Sequence, residues 1–189
     1  LDGLASFKDP ALNPLYLQHL LRGLHEALKD KRHIDWASVL DLAADLATRK
    51  SGQNPAIKDP EQDYEGVYGD IARLLELGFD SDRANLSVAR SDAGRDILLQ
   101  ILAQPVGTIE RRYIDGDHDA TAASINTFHG QALHALNRYL IFRWSLLSPG
   151  DTLRPVAGVR DLFSAEIQAS LDKLLASQDV TPAIHAALG

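Results

Sequence analysis

Cysteine and methionine are both absent from this 189-residue chain. Without a thiol there is no disulfide, no thiolate metal ligand and no cysteine nucleophile. A chain that opens Leu1-Asp2-Gly3-Leu4 with no methionine is expected to be a piece of a longer polypeptide, with N-terminal processing as the rival explanation. No run of about 18 apolar residues occurs, which excludes a transmembrane helix. The first residues lack the basic-then-apolar order of a secretory signal, so the expected compartment is the cytoplasm. Basic charge is also short: Lys plus Arg is 19 against 26 for Asp plus Glu, a net charge of −7. A nucleic-acid-binding module would carry a basic face, and none is present. Lys29-Asp30-Lys31-Arg32 reads as a solvated helix end.

Apolar residues make up 45% and charged residues 24%, proportions of an ordinary globular protein long enough to bury a core. Their spacing is helical almost throughout. After Asn13-Pro14, a cap and a first-turn proline, Leu17, Leu20, Leu21, Leu24 and Leu28 fall on one face. A second helix is expected over residues 35–49 with Trp36, Val39, Leu40, Ala43 and Leu46 inward. A polar linker over 50–63 follows, broken at Pro55 and Pro60. A third helix over 64–77 turns Val67, Ile71, Leu74 and Leu75 inward, with Gly78 as a left-handed C-cap and Phe79 folded back. Another starts at Ser91 or Asp92 and ends before Pro105. A further helix is expected over 156–176, then a short terminal one from Thr181-Pro182. Residues 106–109 are too short for strand evidence. The expected fold is all-α, one domain over 1–189. Its helical pairs suit an irregular multi-helix bundle or a short HEAT-like α-solenoid, although no clean repeat period emerges.

Unusual side chains concentrate at 115–144, where an acidic turn feeds a helix over 125–146. Asp115, Asp117 and Asp119 alternate as in a calcium loop. That loop needs glycine at its sixth position and glutamate at its twelfth, where this chain has Ala120 and Asn126. A solvated acidic loop ahead of a helix N-terminus explains the residues better. His129 and His134 lie five apart, about 140° around a helix, and share no face. The i,i+4 histidine pair of a zinc hydrolase is absent, so no metal is expected. Phe128, Ala132, Ala135, Leu136, Tyr139 and Phe142 form an apolar stripe broad enough for a central helix packed on more than one side. Asn126 and Thr127 suit its cap, and Gly130 permits close approach of a neighbour. Arg138 and Arg143 then emerge at the margins, with the Tyr139 hydroxyl at a core edge.

Neither G-x-S-x-G, nor a phosphate-binding G-x-x-x-x-G-K-[ST], nor G-x-G-x-x-G occurs, so no catalytic residue and no cofactor is expected. Three stretches carry a resemblance. They are Asp35-Trp36-Ala37-Ser38-Val39-Leu40, Ala72-Arg73-Leu74-Leu75-Glu76-Leu77-Gly78-Phe79, and the run from Ala123 to Leu136 that contains Asn126-Thr127-Phe128-His129-Gly130. Together they resemble the C-terminal helical region of long, poorly characterised bacterial multidomain proteins, several of them similar to signalling or defence-type NTPases. In that group the signature usually reads Asn-Thr-Val-Arg-Gly. His129 replaces the arginine, so no role of that charge carries over. The resemblance covers under half the chain and implies a helical region of a larger protein.

The expected function is a non-enzymatic scaffold that contacts a protein partner or neighbouring domains of the parent chain. Neither nucleic acid nor membrane is an expected partner, and a homodimer is a further possibility. The alternative is a small-ligand or metal-binding enzyme domain with its site at the 115–130 junction. Asp117, His118, Asp119, Asn126, His129 and Arg138 are its candidate residues.

Overall fold

A computed structural model describes residues 2–50, 63–80, 86–107, 110–111, 120–147 and 162–177. A 3₁₀ segment over Asp2–Lys8 leads to α1, Pro14–Lys29. The Asn13 side chain accepts from the Leu15 N–H at 2.9 Å, and Pro14 sits where no amide donor is needed. Lys31 closes α1 in the left-handed region, φ 58°, so that the Arg32 N–H reaches back to the Ala27 carbonyl at 2.8 Å. Helix α2, Trp36–Ala47, is capped by Asp35, whose carboxylate accepts from the Ala37 N–H and the Ser38 hydroxyl. The Ser38 bond and then the Ala37 bond hold that carboxyl below its ordinary range.

Helix α3, Tyr64–Gly78, is the axis of the molecule. Along its length Arg73 alone is exposed, and even Glu65 and Asp70 are buried. It packs against α1 on one side and against α6, Phe128–Leu147, on the other. Glycines let these neighbours in: a Cβ at Gly66 would lie 2.6 Å from the Gln18 amide of α1, and one at Gly69 would strike Gln131 of α6. Helix α4, Val88–Leu102, lies against α6 and α2. Short α5, Ala120–Asn126, precedes α6, and α7, Ala165–Ala176, rests on α4 with Ser164 as its cap.

The contacts of α3 with α6, and of α2 with α4, skip intervening elements, which is the pattern of a bundle rather than of stacked repeats. The described residues contain no strand, and none of their helices is long and apolar enough to cross a membrane.

Several expectations need correction. The helix over 125–146 is split, because Thr127 leaves the helical path and α6 begins at Phe128. It does pack on more than one side, against α3, α4 and the short helix before it, while Ile141 is left half-exposed and α3 is the more enclosed of the two. Gly78 ends α3 in right-handed geometry, with Phe79 as the cap residue at φ −88°. Its lack of a side chain serves packing, since a Cβ there would lie 2.6 Å from Cη2 of the buried Trp36 ring. Helix α4 starts at Val88, one turn earlier than expected, and α7 starts at Ala165, because Ser164 caps it. The 50–63 linker beyond its first and last residues, the acidic turn and the terminal helix from Thr181 lie outside the described residues.

Candidate functional site

The polar residues gather at the N-terminal end of α6. Thr127 is buried, and its hydroxyl accepts from the Gly130 N–H at 3.1 Å, which caps the helix. Gly130 presses on α5 so closely that a Cβ would collide with the Ser124 carbonyl, and only glycine fits. Capping and close approach together aim His129 inward. Its imidazole is 1% exposed as a residue and reaches two partners. Nδ1 meets Glu110 Oε2 at 2.6 Å, and Nε2 meets the Gln104 carbonyl at 3.1 Å.

These contacts determine the protons. A carbonyl oxygen only accepts, so Nε2 carries a hydrogen. The Nδ1–Oε2 contact, with both groups buried, requires a second proton between them. Both ring nitrogens are thus engaged, Nδ1 by Glu110 and Nε2 by the main chain. The ring fastens the 104–111 segment to α6. Gln104 extends the tie by donating its side-chain amide to the Ala47 carbonyl at the end of α2, at 2.7 Å.

Two further carboxylates line the same region from α3. Glu65 Oε2 accepts from the Glu110 N–H at 3.0 Å, and its carboxyl group lies against Gly107 where a side chain would otherwise be. Asp70 is held by Arg22 Nε at 3.0 Å and faces Arg73 Nη1 at 3.7 Å. Burial nevertheless dominates and raises the Asp70 carboxyl above its ordinary range, with Arg22 and then Arg73 pulling the other way. Glu65, Asp70 and Glu110 all line a cleft of about 150 Å³ between α1, α3 and the α5–α6 junction. His129 lines a second cleft of about 340 Å³, beside Gln104, Arg111 and Lys173. The pair thus lies between two clefts, the first lined by Arg22 and Arg73 as well as by the three carboxylates.

At the other end of α6 the Tyr139 hydroxyl donates to Asp92 Oδ1 at 2.7 Å, with Arg95 and Arg143 at 3.9 and 3.7 Å from the same oxygen. Burial and the Asp92 bond raise the phenol above its ordinary range. Phe79 packs edge-on to that ring, 5.4 Å between centroids.

Of the six residues expected to form a site, Asp117, His118 and Asp119 lie outside the described residues. Asn126 lines the first cleft, and its amide donates to the Ala122 carbonyl at 2.8 Å. His129 is sealed in the interior. Arg138 is exposed nine positions along α6, roughly 13 Å up the axis at 1.5 Å per residue, and does not join them. Glu65, Asp70, Gln104, Glu110 and Gln131 were not anticipated. For Asp70 a signal existed, because it sits three after Val67 and four before Leu74 on the inward face. Among the described residues no group of three or more His, Asp or Glu is arranged to hold a metal ion. No protein-family model matches the chain, and no curated protein or solved structure matches it either.

Proposed function

We propose that this chain is a helical interaction region, the scaffold part of a larger intracellular bacterial protein, which docks a protein partner or a neighbouring domain of its parent. The observation that supports this is the outer face of α7. Ile167 and Leu174 are buried and anchor the helix to the body. Phe163, Leu171 and Leu175 instead line an open trough of about 500 Å³, with Gln168 and Asp172 at its edge. Phe163 is 40% and Leu175 43% exposed. Apolar side chains grouped on one helix face, rimmed by polar ones, are the surface on which an amphipathic partner settles.

The test compares the wild-type chain with a Leu171→Asp, Leu175→Asp double variant. Circular dichroism checks that both fold, cross-linking to the parent's other domains and pull-down check capture, and light scattering at two concentrations checks self-association. Loss of capture in a folded variant supports the reading. Equal capture by both chains, or none by either together with a monomer at both concentrations, removes it.

A further inference from the structure

The cleft between α1, α3 and the α5–α6 junction shares no residue with the α7 trough, and charges of both signs line it. Arg22 of α1 and Arg73 of α3 stand over Asp70, with Arg22 Nε 3.0 Å from Oδ2 and Arg73 Nη1 3.7 Å from Oδ1. The carboxylate is 5% exposed and the arginine side chains 55% and 45%, so the guanidinium groups face solvent from a buried anchor. A guanidinium carries several N–H donors in a planar fork that matches a carboxylate. Arg22 commits Nε to Asp70 and Nη2 to the Gln18 amide oxygen at 3.1 Å, which leaves Nη1. The Arg73 contact is longer than a hydrogen bond, so its donors are held near Asp70 but not used up by it.

The opposite charge comes from Glu110, which is 1% exposed and lines this cleft but not the second. Its Oε2 meets His129, whereas Oε1 is buried and has no hydrogen-bond partner among the described residues. The amides of Asn126 and Gln131, in the same lining, donate to the Ala122 and Ile125 carbonyls and not to Glu110. An acceptor buried without a donor is costly, and a ligand that brings the donor recovers that cost. Glu110 is set apart from the arginines. Its N–H donates to Glu65, five positions before Asp70 and so about 7.5 Å away along α3 at 1.5 Å per residue. A simple anion leaves Glu110 Oε1 unpaired, and a simple cation meets Arg22 and Arg73. A molecule with one charge of each sign, a short chain apart, suits both ends. The hollow of about 150 Å³ holds several waters or one such molecule. We infer that this cleft binds a small zwitterion, an amino acid whose carboxylate docks on Arg22 and Arg73 and whose ammonium donates to Glu110 Oε1. Asp70 is a positioning residue that holds the two guanidinium groups.

The probes are glycine, β-alanine and γ-aminobutyrate, which differ in the separation of their two charges, titrated calorimetrically into the whole chain at constant ionic strength. Acetate and methylammonium, each with one of those charges, are the controls. Saturable binding of at least one amino acid, at least tenfold tighter than either control and accompanied by a rise in Tm, is expected. Arg73→Gln, at a half-exposed side chain, and Glu110→Gln should each weaken that binding at least tenfold. Because Glu110→Gln also alters the contact with His129, circular dichroism identifies folded variants. Arg73→Gln decides alone if Glu110→Gln does not fold. The inference is overturned if no amino acid binds tenfold more tightly than both controls, which leaves Glu110 Oε1 to water. It is equally overturned if either folded variant binds as the wild type does.

Discussion

The two ends of α6 carry the same kind of apolar stripe, yet different physics holds them. At the N-terminal end His129 is enclosed with Glu110, Gln131 is turned to a backbone carbonyl, and Gly130 lies against main chain. At the C-terminal end Tyr139 and Phe142 pack around Phe79, and charge stays at the margin in the Asp92–Arg95–Arg143 cluster. Enclosed polar groups tolerate little change, because removing one partner strands the other without water. Marginal charges are solvated and replaceable. A stripe that looks uniform therefore divides into an end that specifies the fold and an end that adds stability in small increments.

The sharpest way to break that contrast is His129→Ala. It leaves Glu110 buried without its proton partner, and a loss of about 3–5 kcal/mol in urea unfolding is expected. A loss below about 1 kcal/mol would mean that the pair is not sealed. Next comes Gly130→Ala. Its Cβ meets a carbonyl oxygen of the backbone, so α5 must move, at a cost of about 3 kcal/mol seen as a lower Tm. Tyr139→Phe removes one hydrogen bond to Asp92 and should cost about 1 kcal/mol. Arg143→Ala should fall within about 0.5 kcal/mol, because its carboxylate is 3.7 Å away and both groups are partly solvated. If Arg143→Ala proves as damaging as His129→Ala, the contrast between the two ends fails.

Asp70 adds a pH test of the polar region. Its carboxyl is raised above the ordinary aspartate value of 3.8, so the folded chain holds that proton more tightly than the unfolded chain does. The contribution is fully present below that value and is lost as pH rises through the higher folded value. Wild-type stability relative to Asp70→Asn should therefore decline across that window and then level off. Denaturant midpoints measured from pH 3 to pH 7 would show it, and a flat difference would contradict the burial effect.

Much of the helical inventory was legible. Asn13-Pro14, Asp35 and the spacing of Leu17, Leu21 and Leu28 act within a turn or two, so local geometry alone selects helix and cap. Gly78 was misread, because glycine after a leucine run satisfies a left-handed cap and a close ring contact equally well. Only Trp36, distant in sequence, tells them apart. The width of the α6 stripe matches a helix packed on more than one side, but which helices cover it depends on residues distant in sequence.

The polar site was the least legible part. His129 stood out as a histidine near a helix start, and the acidic turn just before it drew attention to surface chemistry. Its true partners are Glu110 and the Gln104 carbonyl, 19 and 25 residues away. Glu110 belongs to no periodic pattern, so nothing local marks it. Sequence by itself determined the all-helical class, the starts of the first three helices and the absence of thiol chemistry, because propensity, capping and composition act over a few residues. Tertiary structure decided which helices cover α6, which glycines are packing sites and which carboxylate meets His129. Those outcomes depend on which distant surfaces meet once apolar area leaves water, and burial is what turns an ordinary Glu–His pair into a fixed tie.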